Sequence, residues 1–132
     1  MKLAVYVNFP GHCEEAFRFY QEHLGATSDG VVHRHAELPN PNLPPDWSGK
    51  VLHARLEIGS TVLMGADVPS AEPTRSSYLT LFLDSEAEAE RVYAVLVEGG
   101  EIFMAIQETP FANRFAMLRD RFGVAWMLLQ QT

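Results

Sequence analysis

Three side chains in one short segment carry acid–base and charge-pairing chemistry: His53, Arg55 and Glu57. They alternate with Leu52, Ala54 and Leu56 across Val51 to Ile58. A period of two predicts a strand with the three polar groups on one face. His53 suits a general base, a substrate hydrogen-bond partner or a structural residue held by Glu57 or Arg55. Arg55 suits a carboxylate or phosphate through a bidentate pair. It equally suits an ion pair with Glu57 or with an acid across the sheet.

The other histidines are His12, His23, His33 and His35. His33 and His35 are two apart, so on a strand they share a face and could pair on an ion; an exposed polar strand explains them as well. His12 precedes a predicted helix as a turn or cap residue. His23 falls near that helix's end, where positive charge suits the dipole. Cys13, the single cysteine, opens the helix. A helix N-terminus lowers a thiol pKa, but no activating His/Asp arrangement follows from spacing, and core packing is the simpler role.

These residues sit in a chain of 132 residues, the length of one domain. With 10 Lys and Arg against 17 Asp and Glu the net charge is −7. The chain lacks a basic run, so it has no electrostatic footprint for nucleic acid or an anionic membrane. One cysteine excludes a disulfide framework and a Cys-rich zinc site. Neither a signal-peptide pattern nor an apolar run near ~20 residues is present. The expectation is a cytoplasmic protein.

The elements follow from periodicity. Lys2 to Phe9 alternates as a strand. Cys13, Ala16, Phe17, Tyr20 and Leu24 recur at helical spacing, with Gly25 as C-cap. Thr27 to Leu38 is expected as a strand, and Pro39 to Pro45, with four prolines, as a stiff loop. Strands Val51 to Ile58 and Thr61 to Gly65 flank a turn at Gly59-Ser60. Asp67 to Arg75 connects. Tyr78 to Asp84 is a strand, and Ser85 with Glu88 has capping-box spacing for a helix to Glu98. Strands Glu101 to Ile106, Phe115 to Arg119 and Val124 to Gln130 close the chain, the last two joined by a type I turn at Asp120 to Gly123. Asp67 and Asp120 are expected in turns, and Trp126 in the core.

The pattern repeats. Glu15-Ala16-x-Arg18-x-Tyr20 recurs as Glu88-Ala89-x-Arg91-x-Tyr93, and Gly59-x-x-Val62-Leu63-Met64 resembles Gly123-x-x-Trp126-Met127-Leu128. Each half reads β-α-β-β-β. Two such modules resemble the vicinal oxygen chelate superfamily of glyoxalase I, extradiol dioxygenases and bleomycin-resistance proteins. Three stretches narrow the resemblance to PhnB-like proteins: Val7-Asn8-Phe9-x-Gly11-His12-Cys13-Glu14-Glu15-Ala16-Phe17-x-Phe19-Tyr20, Leu63-Met64-x-Ala66-Asp67, and Arg114-Phe115-x-Met117-Leu118-Arg119-Asp120-Arg121-Phe122-Gly123-Val124-x-Trp126-Met127. That group is often labelled demethylubiquinone methyltransferase-like, but a Gly-rich cofactor loop is missing here.

The resemblance implies an α+β fold. Two tandem βαβββ modules, 1–67 and 76–132 with a connector at 68–75, form one domain. Their mixed sheets curve around a cavity, with the helices on the convex side. Strand parity then sends Leu3, Val5, Val7 and Phe9, and Leu79, Leu81 and Leu83, under the helices. Facing the cavity are Ala4, Tyr6 and Asn8, then His53, Arg55 and Glu57, then Tyr78, Thr80 and Phe82. Tyr6 and Tyr78 would stack on a planar ligand or simply fill space, and Asn8 would bond a ligand or cap the next turn. Phe111 and Arg114 are lid candidates, and Trp47 covers a cavity mouth or a dimer contact.

Metal-dependent relatives bind one divalent ion through His, Gln or Glu. By register those positions fall near Ala4, Leu63, Tyr78 and Met127, which offer no such ligand set. The expectation is therefore a binding protein without metal or other cofactor, a homodimer that holds a small organic ligand, anionic or aromatic. Two alternatives stay open. One is a lyase, isomerase or dioxygenase with a displaced metal site, or with an acid/base pair of His53 with Glu57 or Tyr78. The other is a module whose cavity is filled by Tyr6, Tyr78, Phe82 and Met127.

Overall fold

Strand order explains how each half of the chain closes. The computed structural model describes residues 1–131. It divides into two units, residues 1–72 and residues from 73 onward. Each unit is a βαβββ module with one four-stranded mixed sheet and one helix.

The first unit contains β1 (Val5–Phe9), α1 (Cys13–Leu24), β2 (Val32–Arg34), β3 (Val51–Ile58) and β4 (Thr61–Asp67). The sheet runs β1-β4-β3-β2. First and last strands pair in parallel, Val5 with Leu63 and Val7 with Gly65. The hairpin β3–β4 pairs Ala54 with Gly65 and Leu56 with Leu63. These rows form the face beneath α1, where Val7, Phe9, Ala54, Leu56 and Leu63 are buried. Helix α1 presents Cys13, Ala16, Phe17 and Tyr20, all buried. Its boundaries match the predicted ones, and Gly25 ends it at φ +66°, a conformation that favours glycine.

The first unit departs from expectation at both edge strands of its sheet. Leu3, expected under the helix, precedes β1 and is 91% exposed. The Thr27 to Leu38 strand shrinks to a bridge between Thr27 and Glu57 and the short β2. His33 pairs with His53, but Arg34 pairs with Val51, so the register skips Leu52. The chain then tightens into a 3-10 turn at His35–Glu37.

The second unit contains β5 (Leu79–Phe82), α2 (Glu86–Val97), β6 (Glu101–Thr109), β7 (Ala112–Arg119) and β8 (Ala125–Gln130), in the order β5-β8-β7-β6. Strand β5 runs parallel to β8, Leu79 beside Trp126 and Leu81 beside Leu128. Helix α2 begins as its sequence predicts: the Ser85 hydroxyl accepts the Glu88 backbone N–H at 3.0 Å. Its buried face is Ala89, Val92 and Leu96. Trp126 is core, 1% exposed. Strand β6 runs three residues beyond its expected end, and its pairing with β7 is interrupted by repeated register shifts.

Candidate functional site

The face of the first sheet away from α1 gathers most of the polar candidates. Strand parity places Tyr6 and Asn8 of β1, Met64 of β4 and His53, Arg55 and Glu57 of β3 there. Tyr6 is 47% exposed. Its hydroxyl lies 3.1 Å from His53 Nδ1, and the rings stack at 5.6 Å between centroids. Partial burial raises the Tyr6 pKa above its ordinary value, so the phenol is held protonated.

Across β3 the row continues. His33 sits opposite His53, with ring centroids 6.5 Å apart. His33 Nδ1 contacts Glu37 Oε1 at 2.9 Å, and Glu37 Oε2 accepts the Arg34 backbone N–H at 2.7 Å. These two bonds, the imidazole first, hold the Glu37 carboxyl below its usual range. Tyr6, His53, His33 and Glu37 thus form one line of side-chain contacts that runs diagonally from β1 across β4 to β3, β2 and the turn after it. Glu57 is not part of it. The carboxylate accepts from Arg55 at 3.1 Å, and both side chains line an open hollow of about 290 Å³ with Thr27, Ser28 and Asp29.

Two expectations about the histidines and acids change here. The slip at Leu52 turns His35 inward: it is buried, and its Nε2 lies 2.8 Å from the Asp67 carbonyl oxygen. It shares no face with His33. Asp67 is not a turn residue but the buried end of β4, 1% exposed. Its Oδ1 accepts the backbone N–H groups of Gly11 and Cys13 at 3.1 and 2.8 Å, and its Oδ2 accepts that of Val51 at 3.0 Å. Asp120 does begin the predicted turn, whose Gly123 N–H returns to its carbonyl at 3.0 Å. It is buried all the same: Oδ1 accepts from Phe122 and Val124, and Oδ2 from Trp126 Nε1 at 2.8 Å.

Cys13 is packed, with no accessible surface, and burial first, then the Asp67 and Glu14 carboxylates, drive its thiol pKa up. This is the opposite of activation. Trp47 packs on His35, centroids 6.1 Å apart. Beside the start of α1 lies a cleft of about 420 Å³. Among its charges, Arg34 pairs with Glu14 at 2.7 Å, and Lys50 donates to the Gly11 carbonyl at 2.9 Å.

In the second unit, Thr80 and Phe82 alternate with Leu79 and Leu81, and Phe82 is 69% exposed. Tyr78 meets Phe103 edge-on at 6.4 Å, and Arg119 stands over that ring at 5.3 Å. Phe111 is 57% exposed and packs edge-on against Phe115 at 5.0 Å. Arg114 bonds Glu86 and Glu90 of α2 at 2.9 and 3.1 Å, which ties β7 to its helix.

The residues at the positions implied for a metal do not fit one. Leu63 pairs with Val5 beneath α1, 3% exposed. The repeat between Val62-Leu63-Met64 and Trp126-Met127-Leu128 is therefore one residue out of phase, and Met64 is the outward neighbour. Met127 pairs with Thr80. Ala, Met and Met supply neither imidazole nor carboxylate, and Tyr78 only a phenol. Among the described residues, no group of three or more His, Cys, Asp or Glu is arranged to hold an ion. None of their helices is long and apolar enough to cross a membrane.

The line Tyr6–His53–His33–Glu37 escaped the sequence because it depends on cross-strand register. His53 and Tyr6 were visible as alternating polar positions. His33 and Glu37 had no signal linking them to either.

Known proteins carry the same architecture. The chain is 36% identical to Protein YjdN of Escherichia coli (strain K12), over 97% of this chain and 94% of that one. The structure of protein PA1353 from Pseudomonas aeruginosa superposes with a TM-score of 0.86 at 40% identity, covering 99% and 98% of the two chains. The PhnB protein from Bacillus cereus superposes at 0.80 with 25% identity, covering 98% and 99%. Residues 2–128 match the family model described as Glyoxalase/Bleomycin resistance protein/Dioxygenase superfamily, and the chain belongs to that superfamily.

Proposed function

We propose that the protein binds a small organic ligand against the open face of its first sheet, without the superfamily's usual metal site. The observation that carries this reading is the Tyr6–His53 contact. Two stacked, hydrogen-bonded rings stand on an outward sheet face beside the thioether of Met64. Such a surface offers π-stacking for a planar group and two polar atoms for orientation, the usual make-up of a small-molecule site. Arg55, exposed and paired with Glu57, adds a partner for an anionic substituent. Aromatic carboxylates combine both features and are the ligand class of choice. The reading includes a cytoplasmic homodimer.

Tyr6 with His53 also supports a second reading, a lyase or isomerase acting through a proton-transfer pair. A protonated phenol within 3.1 Å of an imidazole can pass a proton in either direction.

Native mass spectrometry of the purified protein, with elemental analysis of the same sample, is the first test. A dimer carrying an organic adduct supports the binding reading. Aromatic carboxylates added in EDTA-containing buffer should then raise the Tm of the wild type, and Tyr6→Ala and His53→Ala should abolish the shift. An unchanged shift in both variants overturns it. Turnover of such a compound, lost in Tyr6→Phe, selects the enzyme reading.

A further inference from the structure

We propose that His33 and His53 form a binding site for one borderline divalent transition-metal ion, Cu2+, Ni2+ or Zn2+, on the open face of the first sheet. The site is separate from the positions used by metal-dependent relatives, and it does not rest on the ligand proposed above.

The two histidines face each other directly across β2 and β3. Side chains so placed have Cβ atoms about 4.5–5.5 Å apart. Their ring centroids now lie 6.5 Å apart. Two imidazoles sharing an ion, each at ~2.0–2.1 Å, bring their centroids to about 5 Å. Side-chain rotation closes that gap, and the His33 side chain is 51% exposed, with room to turn.

The stronger argument lies behind the rings. Metal-binding histidines characteristically give their second nitrogen to a carboxylate or another polar group, which fixes ring orientation and tautomer. Both rings have that support. His33 Nδ1–H donates to Glu37 Oε1 at 2.9 Å, leaving the lone pair on Nε2. Glu37 is itself fixed by the Arg34 backbone N–H at 2.7 Å. His53 Nδ1 lies 3.1 Å from the Tyr6 hydroxyl. It takes the same tautomer when its N–H donates to the phenol oxygen. No described residue bonds either Nε2.

Two protein nitrogens leave further coordination positions to water. This makes an exchangeable site, and it is consistent with the absence of any three-residue ligand group among the described residues. Imidazole suits Cu, Ni and Zn, whereas Mg and Ca prefer oxygen, and Cu2+ should bind tightest.

The test titrates EDTA-stripped, full-length protein with CuCl2, followed by calorimetry and electron paramagnetic resonance. One Cu2+ per chain with two-nitrogen hyperfine structure is expected. His33→Gln and His53→Gln should each weaken binding at least tenfold, and Glu37→Gln about tenfold. His23→Gln should leave it unchanged, and MgCl2 in place of CuCl2 should give no heat. Copper binding that is unaffected by both His33→Gln and His53→Gln, or absent from the wild type, overturns the proposal. Should either variant lose its fold by circular dichroism, the wild type still decides. Substoichiometric Cu2+ must broaden the imidazole NMR signals of His33 and His53 before those of the other histidines; a different order overturns the proposal.

Discussion

Asp67 Oδ1 lies 2.8 Å from the backbone nitrogen of Cys13, and this one bond joins the last strand of the first sheet to the first turn of its helix. The same side chain also holds Gly11 and Val51. One carboxylate therefore fixes the exit of β1, the start of α1 and the entry of β3.

Asp67→Asn should destabilise the protein by about 2–4 kcal/mol. An amide keeps one acceptor oxygen but turns an NH2 group on a backbone donor, leaving a buried N–H unsatisfied. Urea denaturation of wild type and variant measures the loss. A change below about 0.5 kcal/mol would show that the three bonds are replaceable.

Gly65→Ala should cost about 1–3 kcal/mol by overpacking. An added Cβ would stand 2.8 Å from Phe17 Cζ, 3.1 Å from the Val7 carbonyl oxygen and 3.2 Å from Cys13 Sγ. Backbone cannot yield as a side-chain tip can. Thermal unfolding checks this, with Gly59→Ser as a contrasting change at a position with open space but positive φ.

The Cys13 thiol should resist Ellman's reagent in the native state and react fully in denaturant. Burial leads the upward shift of its pKa from 9.0, with Asp67 and Glu14 adding to it. A folded pKa raised above the unfolded one means that the fold prefers the neutral thiol. That contribution is fully present below pH 9.0 and is lost as pH rises above it. Cys13→Ala should therefore show a shallower alkaline decline in stability than the wild type. Fast native labelling would contradict the packing seen here.

Glu14 titrates in the opposite sense. Its hydrogen bond to Arg34 is the largest cause of a carboxyl pKa below the ordinary 4.5. The pair contributes above pH 4.5, and the contribution fades as pH falls through the lowered folded value. Both side chains are more than a third exposed, so the effect is small and salt-sensitive. NMR titration of the Glu14 carboxyl carbon in wild type and Arg34→Gln should show the midpoint rising in the variant. Equal midpoints would mean that the pair does not persist in solution.

Local signals made much of the fold legible. Five apolar residues at helical spacing and one glycine delimit α1 at Cys13–Leu24. Strict alternation delimits β3 at Val51–Ile58. The Ser85 cap depends on neighbours three residues away. What escaped depends on distant partners. His35 is buried because the register slips at Leu52, and neither residue announces that slip. An aspartate after an apolar run reads as a turn, yet Asp67 and Asp120 are buried because backbone and indole donors converge on them. Leu3 alternates correctly with Val5 but precedes the first pairing, so its parity has nothing to act on. On the open face, Tyr6 and His53 were legible as residues facing one way; their contact, and the place of His33 beside it, required the cross-strand register.

The pairing of first strand with last sets an order of events at the ribosome. Val5 waits for Leu63, and Leu79 for Trp126, before either sheet can close. Helix α1 can begin to form early but lacks a floor until β3 and β4 emerge as a hairpin, and only then can β1 dock beside it. Contacts so far apart in sequence are slow to form, because the intervening chain must be ordered first. Each unit stays unfinished, with its strand edges unmet, until its final segment has been synthesised, and a stall just before Thr61 or Ala125 would leave a nascent chain prone to aggregation.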